Sequence, residues 1–149
     1  MREIIFRGKR LYNGEWVYGW PFADTADCSL KKVGKCGCTH DGSEYFIVEW
    51  VDDFHEYEER EVIPDTVGQY TGLKDKNGKM IFEGDILILD DIKGIVNYGT
   101  GCFCVNLPHP DYLYRNNPAI DIVLNEYPGI EIIGNLHDNP ELLKEEAQT

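Results

Sequence analysis

Pro64-Asp-Thr-Val-Gly-Gln-Tyr-Thr-Gly-Leu-Lys-Asp-Lys-Asn-Gly-Lys-Met-Ile-Phe-Glu-Gly-Asp-Ile-Leu-Ile-Leu89 decides the fold. Asn77-Gly78 is the residue pair that best tolerates positive φ, and it stands between Gln69–Leu73 and Met80–Phe82, both able to lie extended. The stretch therefore predicts a hairpin. Glu83-Gly84-Asp85 follows as a polar turn, and Ile86-Leu87-Ile88-Leu89 is a short apolar run of the kind a buried strand carries.

Working outward, Leu11-Tyr12 and Trp16-Val17-Tyr18 flank a second Asn-Gly pair, Asn13-Gly14, with Ile4-Ile5-Phe6 before it as a strand that ends at Gly8. Alternation puts Trp16 and Tyr18 on one face and Val17 on the other, and Pro21 is expected to end the pairing. Asp24 to Ser43 is small and polar and reads as a long connection. Glu44–Val51 regains strand character, with Phe46 and Trp50 expected in a core. Asp52–Glu61 is dominated by acids, Asp52, Asp53, Glu56, Glu58, Glu59 and Glu61 against Arg60, and is expected as a solvated loop or a strand edge.

Downstream, Ile95–Tyr98 and Cys102–Leu107 continue a rhythm of strands every 8–12 residues, that of a small β-barrel. Residues 112–127 fit two periods, a helix begun at Asn117-Pro118 or a strand through Ile120, Ile122 and Leu124. Ile130–Ile133 predicts a last strand. Asn139-Pro140 predicts the N-cap and first residue of a short C-terminal helix reaching about Glu146.

Several of these segments together resemble the YopX family of phage and prophage proteins. The resemblance rests on Met1–Arg10, Gly14–Gly19, Val67–Leu73, Gly78–Asp85, Ile132–Asn135 and Asn139–Leu143. Residues 20–62 and 100–128 show little of the pattern. The resemblance implies an SH3-type barrel or roll, self-association and a mobile-element origin, and brings no known reaction. The whole is expected to be mainly β: an SH3-type barrel or roll with extra hairpins and a short C-terminal helix. Residues 1–62 are expected as an N-terminal β subdomain and 63–149 as the SH3-like subdomain, unless the two intertwine as one unit.

The chain has 149 residues, enough for one domain or two small ones, and carries 27 acidic against 14 basic residues for a net charge of −13. Such a field repels phosphate backbones and argues against direct nucleic-acid binding. Arg2, Arg7, Lys9 and Arg10 are read as a solvated strand edge. The N-terminus lacks the apolar core of a secretory signal, and no run approaches a membrane span. The expected location is the cytosol, that of a host cell if the chain is phage-encoded. Five cysteines, an odd number, would stay reduced there.

Candidate chemistry is thin. Cys28, Cys36, Cys38 and His40 offer four ligands for tetrahedral zinc, yet the spacing departs from paired Cys-x2-Cys knuckles, and the family resemblance implies no such cluster. Cys102 and Cys104 flank Phe103 and should share a strand face, where a free cysteine acts as a small hydrophobe. Nothing in the spacing brings His109 or His137 to them as a base. His55 is embedded in the acidic run. Asp52-Asp53 point to opposite faces of a strand, which is no hydrolytic carboxylate pair, and Asp75-Lys76-Asn77-Gly78 lacks the remaining ligands of a calcium loop. No catalytic, cofactor or metal residue is therefore assigned.

What remains is surface. Tyr12, Tyr18, Tyr98, Tyr112 and Tyr114 near turns are candidates for a contact face, because tyrosine offers area at small entropic cost. The leading expectation is a non-enzymatic, self-associating interaction module with a protein partner. An alternative is an acidic nucleic-acid mimic directed at a host DNA-binding or defence protein, motivated by nine acids within residues 44–65. A zinc-binding or hydrolytic enzyme is the third.

Overall fold

The computed structural model describes residues 3–24, 44–50, 56–99, 101–107 and 118–144. The zinc candidates Cys28, Cys36, Cys38 and His40 lie outside the described residues, as do Asp52, Asp53, His55, His109, Tyr112, Tyr114 and the Trp50 side chain. The chain divides into two compact units, Ile5–Val67 and Met1–Ile4 with Gly68–Thr149.

Ile5–Val67 is an antiparallel meander of β1 (Phe6–Lys9), β2 (Trp16–Asp24), β3 (Glu44–Trp50) and β4 (Tyr57–Val62). β1 and β2 pair from Phe6↔Gly19 to Lys9↔Trp16. The loop between them is closed by Arg10 N–H donating to the Glu15 carbonyl at 2.9 Å. β2 then leaves β1 and pairs with β3 from Trp20↔Val48 to Asp24↔Glu44. Pairing thus continues through Pro21, contrary to expectation. The residue is tolerated because β2 has lost its β1 neighbour there, so the missing N–H need not interrupt a ladder on that side.

The change of neighbour happens at Gly19, where a Cβ would run into the Val48 backbone carbonyl. β3 pairs with β4 from Tyr45↔Val62 to Trp50↔Tyr57. The end of β4 comes back to β1: Arg10 and Val62 form a bridge, and Ile63 N–H donates to the Lys9 carbonyl at 2.9 Å. Inside this curl, Val17, Ile47 and Val62 make a small core with Phe6, Tyr45 and Val67 packed against it. Of the acidic stretch, the described acids Glu58, Glu59 and Glu61 lie on β4, at the end of the strand order. Phe46, expected in the core, is only half-buried.

The second unit begins with the predicted hairpin, β5 (Gly68–Lys74) against β6 (Met80–Phe82). Gly78 takes the left-handed conformation (φ 79°), while Asn77 does not. The turn is therefore a three-residue loop closed by a left-handed glycine rather than a two-residue turn with both residues at positive φ. A four-stranded antiparallel sheet follows, in the order β10 (Glu131–Asn135), β7 (Asp85–Leu89), β8 (Ile92–Gly99), β9 (Cys102–Asn106). Helix α1 (Ile120–Glu126) lies between β9 and β10 in the chain.

Ten buried side chains form its core, among them Ile81, Leu87, Leu89, Phe103, Val105 and Ile130. Ile120 and Val123 join that core while Ile122 is exposed, so helical spacing prevails over alternation in the ambiguous segment. Pro140–Leu143 is a single 3-10 turn. Asn139 does not cap it: its Oδ1 accepts the Asn135 N–H at 3.3 Å instead.

All described pairings are antiparallel and the protein is mainly β. Among the described residues the strands close no barrel. No helix among them is long and apolar enough to cross a membrane.

Candidate functional site

Strand alternation and register build the most conspicuous surface of the Ile5–Val67 unit. On β2, Trp20 and Phe22 straddle Pro21 and so point the same way. Their partners across the ladder are Val48 and Phe46, and the next row on β4 is Glu59 and Glu61. Tyr57 ends the same row. The opposite face carries Ile47 and Val62 into the core. The outer face is left with Trp20 57% exposed, Phe22 46% and Tyr57 58%.

Ring contacts hold it in shape. Phe22 and Phe46 lie 6.4 Å apart between centroids, and Phe6 meets Trp20 edge-on at 6.3 Å. The β1 end of the unit is braced differently, with the Arg7 guanidinium 4.4 Å over the Trp16 ring. Aromatics on the outside of a small sheet bury little yet present large, nearly rigid area.

The adjoining edge is charged. On β4, Glu58, Glu59 and Glu61 are exposed, and Arg60 pairs with Glu58 and lies 4.0 Å from Glu49. Charged side chains along a strand edge discourage another strand from adding there. The face is thus apolar towards β2 and β3 and acidic along β4.

In the Gly68–Thr149 unit, a cleft of about 660 Å³ is lined by Glu3, Tyr70, Lys74, Tyr98, Cys102 and Asp121 among others. Tyr70 packs on Phe82 with centroids 5.5 Å apart, and burial, with the Glu3 charge nearby, raises its phenol above the ordinary value. Asp75, weighed above as part of a calcium loop, turns out to be a buried organiser of the hairpin. Its Oδ1 accepts the N–H groups of Asn77 and Lys79, both at 2.9 Å, and its Oδ2 that of Ile132 at 3.1 Å. Burial pushes its carboxyl up, but these three bonds and the Lys79 charge outweigh that and hold it below its ordinary value. Every acceptor direction the carboxylate uses is turned to backbone.

Glu83 is a half-buried acid. Its Oε1 accepts the Gln69 N–H at 3.1 Å, yet burial prevails and raises its carboxyl. His137 lies over the Glu83-Gly84 turn, its Nε2 3.6 Å from where a Gly84 Cβ would be, and its backbone N–H donates to Asn135 Oδ1 at 3.0 Å. That is a place in a turn. Cys102 and Cys104 do share a strand face, with their sulfurs 3.4 Å apart. Among the described residues no three metal-ligating side chains converge.

Of the tyrosines proposed for a contact face, Tyr12, Tyr18 and Tyr98 are exposed, but the aromatic patch is built by Trp20, Phe22 and Tyr57. The missing signal is the pairing partner. Trp20-Pro21-Phe22 looks like a strand terminus until β3 is known to run beside it.

Together these features define an antiparallel β protein whose prominent surface is an exposed aromatic sheet face bordered by acids. The chain belongs to the YopX protein family, whose model matches residues 6–144. Among solved structures it is similar to protein EF1440 from Enterococcus faecalis, at 22% identity and a TM-score of 0.50, over 96% of this chain and 99% of that one. At that identity the likeness speaks to the fold alone. No curated protein matches the chain.

Proposed function

We propose that the protein is a self-associating interaction module of phage or prophage origin, acting through the outer aromatic face of β2, β3 and β4 and binding a further protein partner. The Gly68–Thr149 unit is read as a roll of the SH3 type, open among its described strands. The observation that carries the functional reading is the exposure of Trp20, Phe22 and Tyr57 in one ladder-defined patch. Large aromatics concentrated on one surface of a small unit are the residues that dominate interface energy. Charges guard the neighbouring strand edge, so face-on contact is favoured over strand addition.

Sedimentation equilibrium from about 1 to 100 μM, a range that spans common affinities, tests it. Species heavier than the 17.1 kDa chain are expected, and Trp20→Lys should restore the monomer. A 17.1 kDa monomer throughout would overturn the self-association. The acidic-mimic reading draws on the exposed Glu58, Glu59 and Glu61. Salt separates the two: copies of a chain of charge −13 repel, so screening strengthens self-association, whereas it weakens capture of a basic partner.

A further inference from the structure

Cys102 and Cys104 are two residues apart on β9, so the pleat sends both side chains to the same face. Their sulfurs approach to 3.4 Å, and both lie near the Gly99 carbonyl oxygen, at 3.8 and 3.7 Å. The pair stands at the end of the β8–β9 hairpin, where Gly99 faces Cys102 and Asn97 faces Cys104. Exposure splits them. Cys102 is open to solvent and lines the cleft described above, while Cys104 is buried.

We propose that Cys102 and Cys104 form a reversible thiol–disulfide site that reacts with low-molecular-weight disulfides. Cys102, the accessible thiol, loses its proton to solvent and its sulfur attacks one sulfur of the disulfide RSSR. The S–S bond breaks and one RS⁻ leaves. Cys104 then gives up its proton and attacks the Cys102 sulfur of the mixed disulfide, expelling the second RS⁻. Two protein thiols and RSSR become one protein disulfide and two RSH, with RSSR the species reduced.

Geometry also sets the character of the product. Strand residues two apart have Cα atoms about 6.6–6.8 Å apart, at the upper limit of what a disulfide spans, and the sulfurs must close from 3.4 Å to about 2.05 Å. A bond held at that limit is easily reduced, so the couple switches and does not lock. Burial raises the Cys104 thiol, so the second step, which needs its thiolate, quickens as pH rises. Phe103 between them is a core residue stacked edge-on against Tyr98 at 5.1 Å. Oxidation would therefore strain both the core edge and the cleft wall.

The test is mass mapping of the full chain equilibrated in reduced/oxidised glutathione buffers, quenched by alkylation and digested with trypsin. Residues 94–115 form one tryptic peptide holding these two cysteines and no other. Its expected change is the loss of two hydrogens with protection from alkylation, reversed by dithiothreitol. Cys104→Ser should stop at the glutathione adduct on Cys102, and Cys102→Ser should stay reduced. A stable Cys102 adduct in the unsubstituted chain, a link from Cys102 to another peptide, or two free thiols under fully oxidised glutathione would each overturn the proposal. The result for the unsubstituted chain decides even where a substituted chain fails to fold.

Discussion

The two units of the chain solve the same problem with unequal means. Gly68–Thr149 gathers ten buried side chains into one cluster, and its large exposed apolar residues are scattered singly along the sequence. Among its described residues, Ile5–Val67 buries three apolar side chains in its cluster and keeps Trp20, Phe22 and Tyr57 outside on one ladder-defined face. Each fully buried aliphatic side chain contributes about 1.5–3 kcal/mol, so of the two clusters described the larger contributes more stability. The lesson is that apolar residues outside a core can still form an ordered face: in the smaller unit Trp20, Phe22 and Tyr57 stand exposed together on one side of the ladder.

The sharpest way to break this comparison is to cut into the larger core. Leu87 is wholly buried at the centre of the four-stranded sheet, between β10 and β8. Leu87→Ala should cost about 2–5 kcal/mol in urea unfolding, the range for leucine truncation in tight cores. A loss below ~1 kcal/mol would mean that the cluster is not the stabilising centre. In the smaller unit the sensitive point is backbone: Gly19→Ala forces a methyl against the Val48 carbonyl and should cost about 1–3 kcal/mol, because carbonyl and strand must both shift. An unchanged midpoint would show that β2 does not approach the Val48 carbonyl that closely.

A third prediction concerns a polar anchor of the larger unit. Asp75→Asn sets an amide N–H₂ against one of the backbone donors the carboxylate now receives, and leaving a buried donor unmatched costs about 1–3 kcal/mol. Because the folded Asp75 carboxyl lies below its unfolded value of 3.8, its contribution is fully present above that value and is lost as pH falls through the folded value. Asp75→Asn should accordingly flatten the decline of stability below about pH 4. Glu83, raised by burial, works in the opposite sense: protonation relieves it as pH falls, so its contribution cannot imitate that of Asp75.

Local chemistry made much of this fold readable. Gly78 and the run Asp85–Leu89 carry their conformation in the residues themselves, whereas the turn at Gly14 is longer than expected: Leu11 and Tyr12, read as its first arm, lie in the loop and Trp16 pairs with Lys9. The helix at Ile120 stayed ambiguous because Ile120, Ile122 and Leu124 alternate while Ile120, Val123 and Leu124 follow helical spacing; only packing against the β9 side separates the two. Asn139-Pro140 has the composition of a cap, but Gly134 brings backbone so close that the Asn139 side chain is taken by Asn135. The aromatic face was illegible for a related reason. Its existence depends on β3 lying beside Trp20 and Phe22, a long-range pairing that no local period encodes.

The smallest expected effect on stability is therefore the most informative about the comparison. Trp20 is more than half exposed, so Trp20→Ser gives up less burial than a core truncation and should lower unfolding free energy by no more than about 2 kcal/mol. The same change should weaken self-association at least tenfold, since a central aromatic anchor carries more than about 1.4 kcal/mol of an interface. A structural role for Trp20, through its edge contact with Phe6, predicts the reverse pattern: lowered stability with association intact. Measuring both quantities on one variant thus separates a face kept for a partner from a face that merely finishes a small core. The direction of the salt effect then identifies whether that partner is another copy of this acidic chain.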